Sequence, residues 1–144
     1  GAGTVLDSET ARASILAGAD FIVGPCCSEA VLATCKRYSR IAIPGAMTPT
    51  EILRAAELGA DMVKVFPIDH LGGPKYLKTI QGPLPHIPLN PSGNINADNA
   101  REYLEAGAAV ISVGSAILDK KAISESRFAV LTERAKAIRE KMRG

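Results

Sequence analysis

Leu58-Gly59-Ala60-Asp61-Met62-Val63-Lys64-Val65-Phe66-Pro67 is the stretch that decides the fold. Its glycine stands where a helix can end in a left-handed residue, and a short apolar run follows at once. The same pattern recurs on both sides. Ala17-Gly18-Ala19-Asp20 leads into Phe21-Ile22-Val23-Gly24, and Ala106-Gly107-Ala108 leads into Ala109-Val110-Ile111-Ser112-Val113-Gly114. Between these copies lie two more apolar runs, Ile41-Ala42-Ile43 and Ile87-Pro88-Leu89, and Gly1-Ala2-Gly3-Thr4-Val5 reads as a sixth. Continuous short apolar runs are typical of strands buried on both faces in a parallel sheet.

Helix signals lie between the runs. Thr48-Pro49-Thr50-Glu51 is a capping box with proline at the first helical position. Ser8 is predicted to cap a helix ending near Leu16, Ser28 one through Cys35, and Asn96 one carrying Ala100, Tyr103 and Leu104. Pro74 opens a shorter helix, and a longer one is predicted over 126–142. Six strands, each followed by a helix, define an α/β chain with a parallel sheet. An open doubly wound sheet and a (β/α) barrel both fit this order. Gly1-Ala2-Gly3 lacks the third glycine of a dinucleotide-binding turn. Polar and glycine-rich segments instead follow several different strands, as in a barrel. A barrel has eight units, and six are legible here. The chain also starts inside a strand without Met. The expectation is therefore a fragment, a processed product or a truncated form, with residues 1–144 making one partial barrel domain.

The bulk properties exclude several classes. The 144 residues are 47% hydrophobic and 22% charged, enough for one globular domain with a sizeable core. Net charge is +2, there is no Trp, and no basic stripe is interleaved with aromatics, which argues against a nucleic-acid partner. The basic C-terminal stretch includes Glu133 and Glu140 and reads as a solvated helix face. No apolar run approaches the ~18 residues of a membrane span, and no secretory signal is visible. Cys26, Cys27 and Cys35 are odd in number, which points to reduced thiols and a cytoplasmic protein. The adjacent Cys26 and Cys27 are open to metal or redox chemistry, or to small apolar packing at a strand end. Packing is the favoured reading, since neither His70 nor His86 has metal-ligand spacing to them.

Lys64 is the first chemical anomaly, a cation inside an apolar strand. Such a lysine either reaches water with its tip or gives up its proton easily, and a neutral amine in an apolar pocket is a nucleophile. The second feature is a pair of glycine turns after the last two strands, Pro91-Ser92-Gly93-Asn94 and Val113-Gly114-Ser115. Late turns of this kind hold phosphate in barrels, especially beside a helix N-terminus, and they also serve as ordinary strand-to-helix turns. Thr4 ends a strand, where its hydroxyl meets either a substrate oxygen or local backbone. His70 and His86 read as surface histidines. Asp69, five residues past Lys64, is near the pocket without an assigned role.

The residues now in place resemble the KDPG/KHG aldolase family, class I aldolases of 2-keto-3-deoxy-6-phosphogluconate or 4-hydroxy-2-oxoglutarate. The resemblance runs from Gly1 to about Leu118. It rests on Gly1-Ala2-Gly3-Thr4-Val5, on Ile43-Pro44-Gly45 followed by Met47-Thr48-Pro49-Thr50-Glu51, and on Lys64-Val65-Phe66-Pro67. It continues through Gly82-Pro83, Pro91-Ser92-Gly93 and Val113-Gly114-Ser115. It implies a TIM barrel that needs no metal or other cofactor, commonly trimeric, acting on a small 2-keto acid that is phosphorylated in the first case. By resemblance Lys64 is the Schiff-base lysine and Thr4 contacts substrate. Pro25 and Phe66 line the pocket, Ser92 stands near the pyruvate carboxylate, and Gly93, Gly114 and Ser115 form the phosphate side. The family's glutamate base and a substrate-binding arginine lie on a strand before Gly1. Its usual Thr-Gly-Gly turn is Ser92-Gly93-Asn94 here, which keeps a hydroxyl and places a residue tolerant of left-handed backbone third. The implied reaction is cleavage of the keto acid to pyruvate plus an aldehyde. The alternatives are an inactive truncated barrel or binding module, and another phosphate-binding barrel such as an isomerase or a thiamin-phosphate synthase-like enzyme.

Overall fold

The computed structural model describes residues 1–143, and Gly144 lies outside the described residues. Helix and strand alternate in the order α1 (Ser8–Leu16), β1 (Phe21–Val23), α2 (Glu29–Arg37), β2 (Ile41–Ile43), β3 (Gly45–Ala46) and α3 (Pro49–Glu57). There follow β4 (Val63–Val65), a 3-10 turn (Asp69–Leu71), α4 (Pro74–Gln81), β5 (Leu89–Pro91), α5 (Ala100–Glu105), α6 (Lys120–Ser124) and α7 (Phe128–Arg143). Every strand pair is parallel, β1 with β2 and β3 with β4 with β5. Pro44, which has no N–H to donate, divides the run 41–46 into β2 and β3. Bridges Ala2–Ile22 and Ser92–Ser112 extend the pairing at either end, so the extended segments lie side by side in chain order. The chain is thus α/β with parallel sheets.

Local signals account for most of these elements. Thr48 closes a complete capping box with Glu51, and Ser28 accepts from the Val31 amide at 3.4 Å. Gly18, Gly59 and Gly107 take φ of 100°, 90° and 101°, the left-handed region expected after each helix. Four expectations need correction. The first cap is Asp7, whose carboxylate accepts from the Thr10 amide at 2.6 Å, while Ser8 is already helical and turns its hydroxyl to Glu9. The strand expected at 87–89 is displaced to Leu89–Pro91, because Pro88 offers only its carbonyl, taken by the Val63 amide. Asn96 does accept from the Asp98 amide, yet regular helix begins only at Ala100. The outermost two strands reduce to single bridges, having a neighbour on one side alone. A helix without a sequence-based expectation, α6, is capped by Asp119, which also binds Arg134 of α7 at 2.7 Å.

Two cores form on the helix-covered side. Ile22 and Ala42 pack with Ala11 and Ile15 of α1 and Leu32 and Cys35 of α2. Val63, Val65 and Leu89 pack with Ile52 and Ala55 of α3, Leu77 and Ile80 of α4, Tyr103 of α5 and Ile138 of α7. Side chains alternate along a strand. With Val63 and Val65 fully buried against the helices, Lys64 between them must leave by the opposite face. Among the described residues no helix is long and apolar enough to cross a membrane.

Candidate active site

Lys64 stands in register with Gly45 on one neighbouring strand and Asn90 on the other. Register partners in a parallel pair project to the same side, so these three residues share the face away from the helices. Gly45 leaves that face open to a crossing chain. A Cβ built there would come within 2.2 Å of the Pro25 carbonyl, so the loop after β1 lies directly on the glycine. The amide of Gly45 donates to the Cys26 carbonyl at 3.2 Å and fixes the loop. On the other side of Lys64, the Ser112 hydroxyl donates to Asn90 Oδ1 at 3.0 Å. Just past the end of β4, Phe66 puts its ring centroid 4.5 Å from the Lys64 amine.

These neighbours desolvate the amine without offering it a countercharge. Burial alone pulls its pKa below the ordinary value of 10.5, and no carboxylate contributes. The Phe66 ring favours the ammonium form weakly, and burial prevails. The result is an amine that loses its proton more readily, held on a rigid strand, the state required for attack on a carbonyl carbon.

The structure places the other expected residues as follows. Pro25 reaches the Lys64 face through its backbone, and Phe66 through its ring. A cleft of about 450 Å³ is lined by Pro25, Cys26, Gly45, Met47, Glu51 and Phe66. Ser92 follows β5, receiving the Ile68 amide on its carbonyl and donating its own to the Val65 carbonyl, so it lies two register positions beyond Lys64 at the same end of the ladder. Gly93 takes φ 129° with Asp69 Oδ1 only 2.7 Å from where a Cβ would be. Gly114 and Ser115 are exposed beyond Ser112. Neither glycine turn runs straight into a helix: α5 starts at Ala100 and α6 at Lys120, so regular helix N-termini do not abut them. Thr4 is exposed two residues past the Ala2 bridge at the other edge of the ladder, with φ 58°, unusual for a β-branched residue. His70 is 78% exposed at its side chain and His86 is exposed, as expected of surface histidines.

The cysteine reading needs division. Cys35 is buried and Cys27 half-buried, and burial pushes both thiols up. Cys26 is exposed at the cleft rather than packed, because Gly45 holds its carbonyl inward. Sequence reasoning missed Asn90. The available signal was the one used for Lys64, a polar residue inside a buried apolar strand.

A half-buried, charge-isolated lysine in mid-strand of a parallel β/α sheet defines a class, α/β proteins with amine chemistry on the sheet face away from the helices. Comparison with known proteins narrows this class. The family described as KDPG and KHG aldolase matches residues 1–133, and the chain belongs to that family. It is 35% identical over 132 residues to the 2-dehydro-3-deoxy-phosphogluconate aldolase of Treponema pallidum (strain Nichols), covering 92% of this chain and 63% of that one. It is 30% identical to the KHG/KDPG aldolase of Escherichia coli (strain K12), covering 94% of this chain and 64% of the relative. The chain therefore spans less than two thirds of the length of these curated relatives. Among solved structures, the KDPG aldolase of Legionella pneumophila, with pyruvate captured as a covalent carbinolamine, matches with a TM-score of 0.88 and 31% identity. That match covers 96% of this chain and 67% of the Legionella one.

Proposed function

We propose that Lys64 is the Schiff-base lysine of a class I aldolase that splits a 2-keto acid into pyruvate and an aldehyde. The observation that carries this reading is the burial-lowered pKa of an amine with no ionic partner, on the strand the family resemblance selects. The amine adds to C2 of the keto acid, loss of water gives an iminium, and the C3–C4 bond breaks with its electrons drawn toward the iminium. The C4 hydroxyl gives up its proton as the aldehyde leaves, C3 of the enamine takes up a proton, and hydrolysis of the resulting iminium returns pyruvate and free Lys64. The substrate is 2-keto-3-deoxy-6-phosphogluconate or 4-hydroxy-2-oxoglutarate, releasing glyceraldehyde 3-phosphate or glyoxylate. Ser92 is assigned to the pyruvate carboxylate, Thr4 to a substrate contact, and Gly93, Gly114 and Ser115 to phosphate. Residues 1–144 are read as about six of eight barrel units in one domain, assembling as a homotrimer and working without a metal.

The testing experiment is intact-mass measurement after incubation with pyruvate and borohydride, beside Lys64→Ala. Proton transfer to the enamine needs an acid, and among the described residues no carboxylate bears on Lys64. Borohydride reduces the imine before any enamine has to be protonated, so trapping isolates the lysine's own chemistry. A reduced pyruvate adduct on Lys64, absent from Lys64→Ala, is expected. A folded protein that gives no adduct overturns the aldolase reading.

A further inference from the structure

The Lys64 face holds one buried polar side chain that the proposed function does not use. Asn90 is only 3% exposed, set between the buried Leu89 and Pro91 of β5. It lies in register with Lys64 on the adjoining strand, about 4.8 Å away between backbones. Its Oδ1 is occupied by the Ser112 hydroxyl at 3.0 Å, which fixes the plane of the amide. Its Nδ2 donates to no protein group among the described residues. It is not sealed either, since Arg40 Nε is the one side-chain polar atom among them that is both occluded and unpaired. The amide N–H therefore opens onto the Lys64 face. A buried donor without a protein acceptor is costly, and a bound oxygen would satisfy it.

We propose that Asn90 is a substrate-contacting residue whose Nδ2–H donates to the C2 oxygen of the keto acid as Lys64 attacks. This rests on the reading of Lys64 as the Schiff-base lysine. In that step the Lys64 lone pair forms the N–C2 bond and the C2=O π pair moves onto oxygen. The nitrogen loses a proton and the oxygen gains one, giving the carbinolamine. Protonation of the new hydroxyl and cleavage of the C2–O bond then release water and leave the iminium. A fixed N–H at the oxygen stabilises charge as it develops and needs no reorganisation. A neutral amide suits the place, because a carboxylate there would hold Lys64 as ammonium.

The test is the rate of pyruvate adduct formation, trapped with borohydride across pH, for the parent protein, Asn90→Ala and Asn90→Asp. Each sample's unfolding midpoint is measured alongside. Asn90→Ala is expected to slow adduct formation about tenfold or more while remaining folded. Asn90→Asp, nearly the same shape, shifts the pH profile toward alkaline values through its charge; having lost the donor it is also expected to be slower at its own pH optimum, and that rate carries the test alone if Asn90→Ala does not fold. A residue with only a structural role would leave the rate per folded molecule at each variant's own pH optimum unchanged, and that result overturns the proposal. Absence of any adduct in the parent protein overturns the Lys64 reading itself, a separate failure.

Discussion

The two halves of the parallel ladder are built alike on their helix side and differently on the other. In the β1–β2 half the face away from the helices is apolar and largely open, with Phe21 at 42% and Ile41 at 50% exposure. In the β3–β4–β5 half the same face carries Gly45, Lys64 and Asn90, and a loop lies across it. The lesson concerns where a glycine sits. Gly45 has no side chain to keep the Pro25–Cys26 backbone away, so that loop helps to desolvate the neighbouring lysine. Among the described residues Gly1 lies against the Phe21 ring, yet Phe21 and Ile41 both stay exposed.

The comparison breaks first at Gly45. Gly45→Ala puts a Cβ 2.2 Å from the Pro25 carbonyl and 2.7 Å from the Cys26 amide nitrogen, both backbone. Overpacking of this kind is expected to cost about 3 kcal/mol by denaturant unfolding. Gly3→Ala, with nothing within 4 Å, is expected to stay within about 0.5 kcal/mol. Equal effects would refute the cover described above.

A smaller difference is expected at the helix caps. Thr48→Ala removes one arm of the capping box of α3 and is expected to cost about 1 kcal/mol, whereas Ser28→Ala in the other half breaks a longer bond and costs less. Glu51 gives the α3 cap a pH dependence. The Met47 amide, then the Thr48 amide, donate to its carboxylate and hold its pKa below the ordinary 4.5. A depressed carboxylate pKa contributes stability that is present above the unfolded value and lost as pH falls through the folded one. Unfolding midpoints should therefore drop below about pH 4.5 more steeply in the parent than in Glu51→Gln. Parallel curves would remove Glu51 from the account.

The smallest effect is expected where the halves are stapled together. Lys36 of α2 reaches Asp61, just before β4, at 3.0 Å, and the same carboxylate accepts from the Ala42 amide of β2 at 2.8 Å. Both ionic partners are partly exposed. Lys36→Met should cost about 0.3 kcal/mol, a loss that disappears in 1 M salt. A loss that salt leaves intact would show that lysine packing, rather than charge, joins the halves.

Much of this was legible residue by residue. Thr48, Ser28 and Pro74 announced helix starts, and Gly18, Gly59 and Gly107 announced helix ends, because caps depend on neighbours within four residues. Lys64 drew attention because a cation is out of place in Met62-Val63-Lys64-Val65-Phe66. The Asp7 cap was missed because Asp7 and Ser8 are both good caps and only the chain's path chooses between them. The displaced β5 and the absent helix starts after Gly93 and Gly114 depended on pairing partners far along the chain.

By itself, then, the sequence determined the alternation of strand and helix, the parallel arrangement that follows from it, and the amine singled out for chemistry. Only the tertiary structure decided what surrounds that amine. Gly45 precedes Lys64 by nineteen residues and Asn90 follows it by twenty-six, and both become its neighbours through strand register. Register is set by which side chains the intervening helices bury, and a slip of one residue would turn Lys64 into the core and Val63 or Val65 out of it. That long-range packing, absent from any local pattern, is what aligns Asn90 with the lysine and lays Pro25 across the glycine beside it.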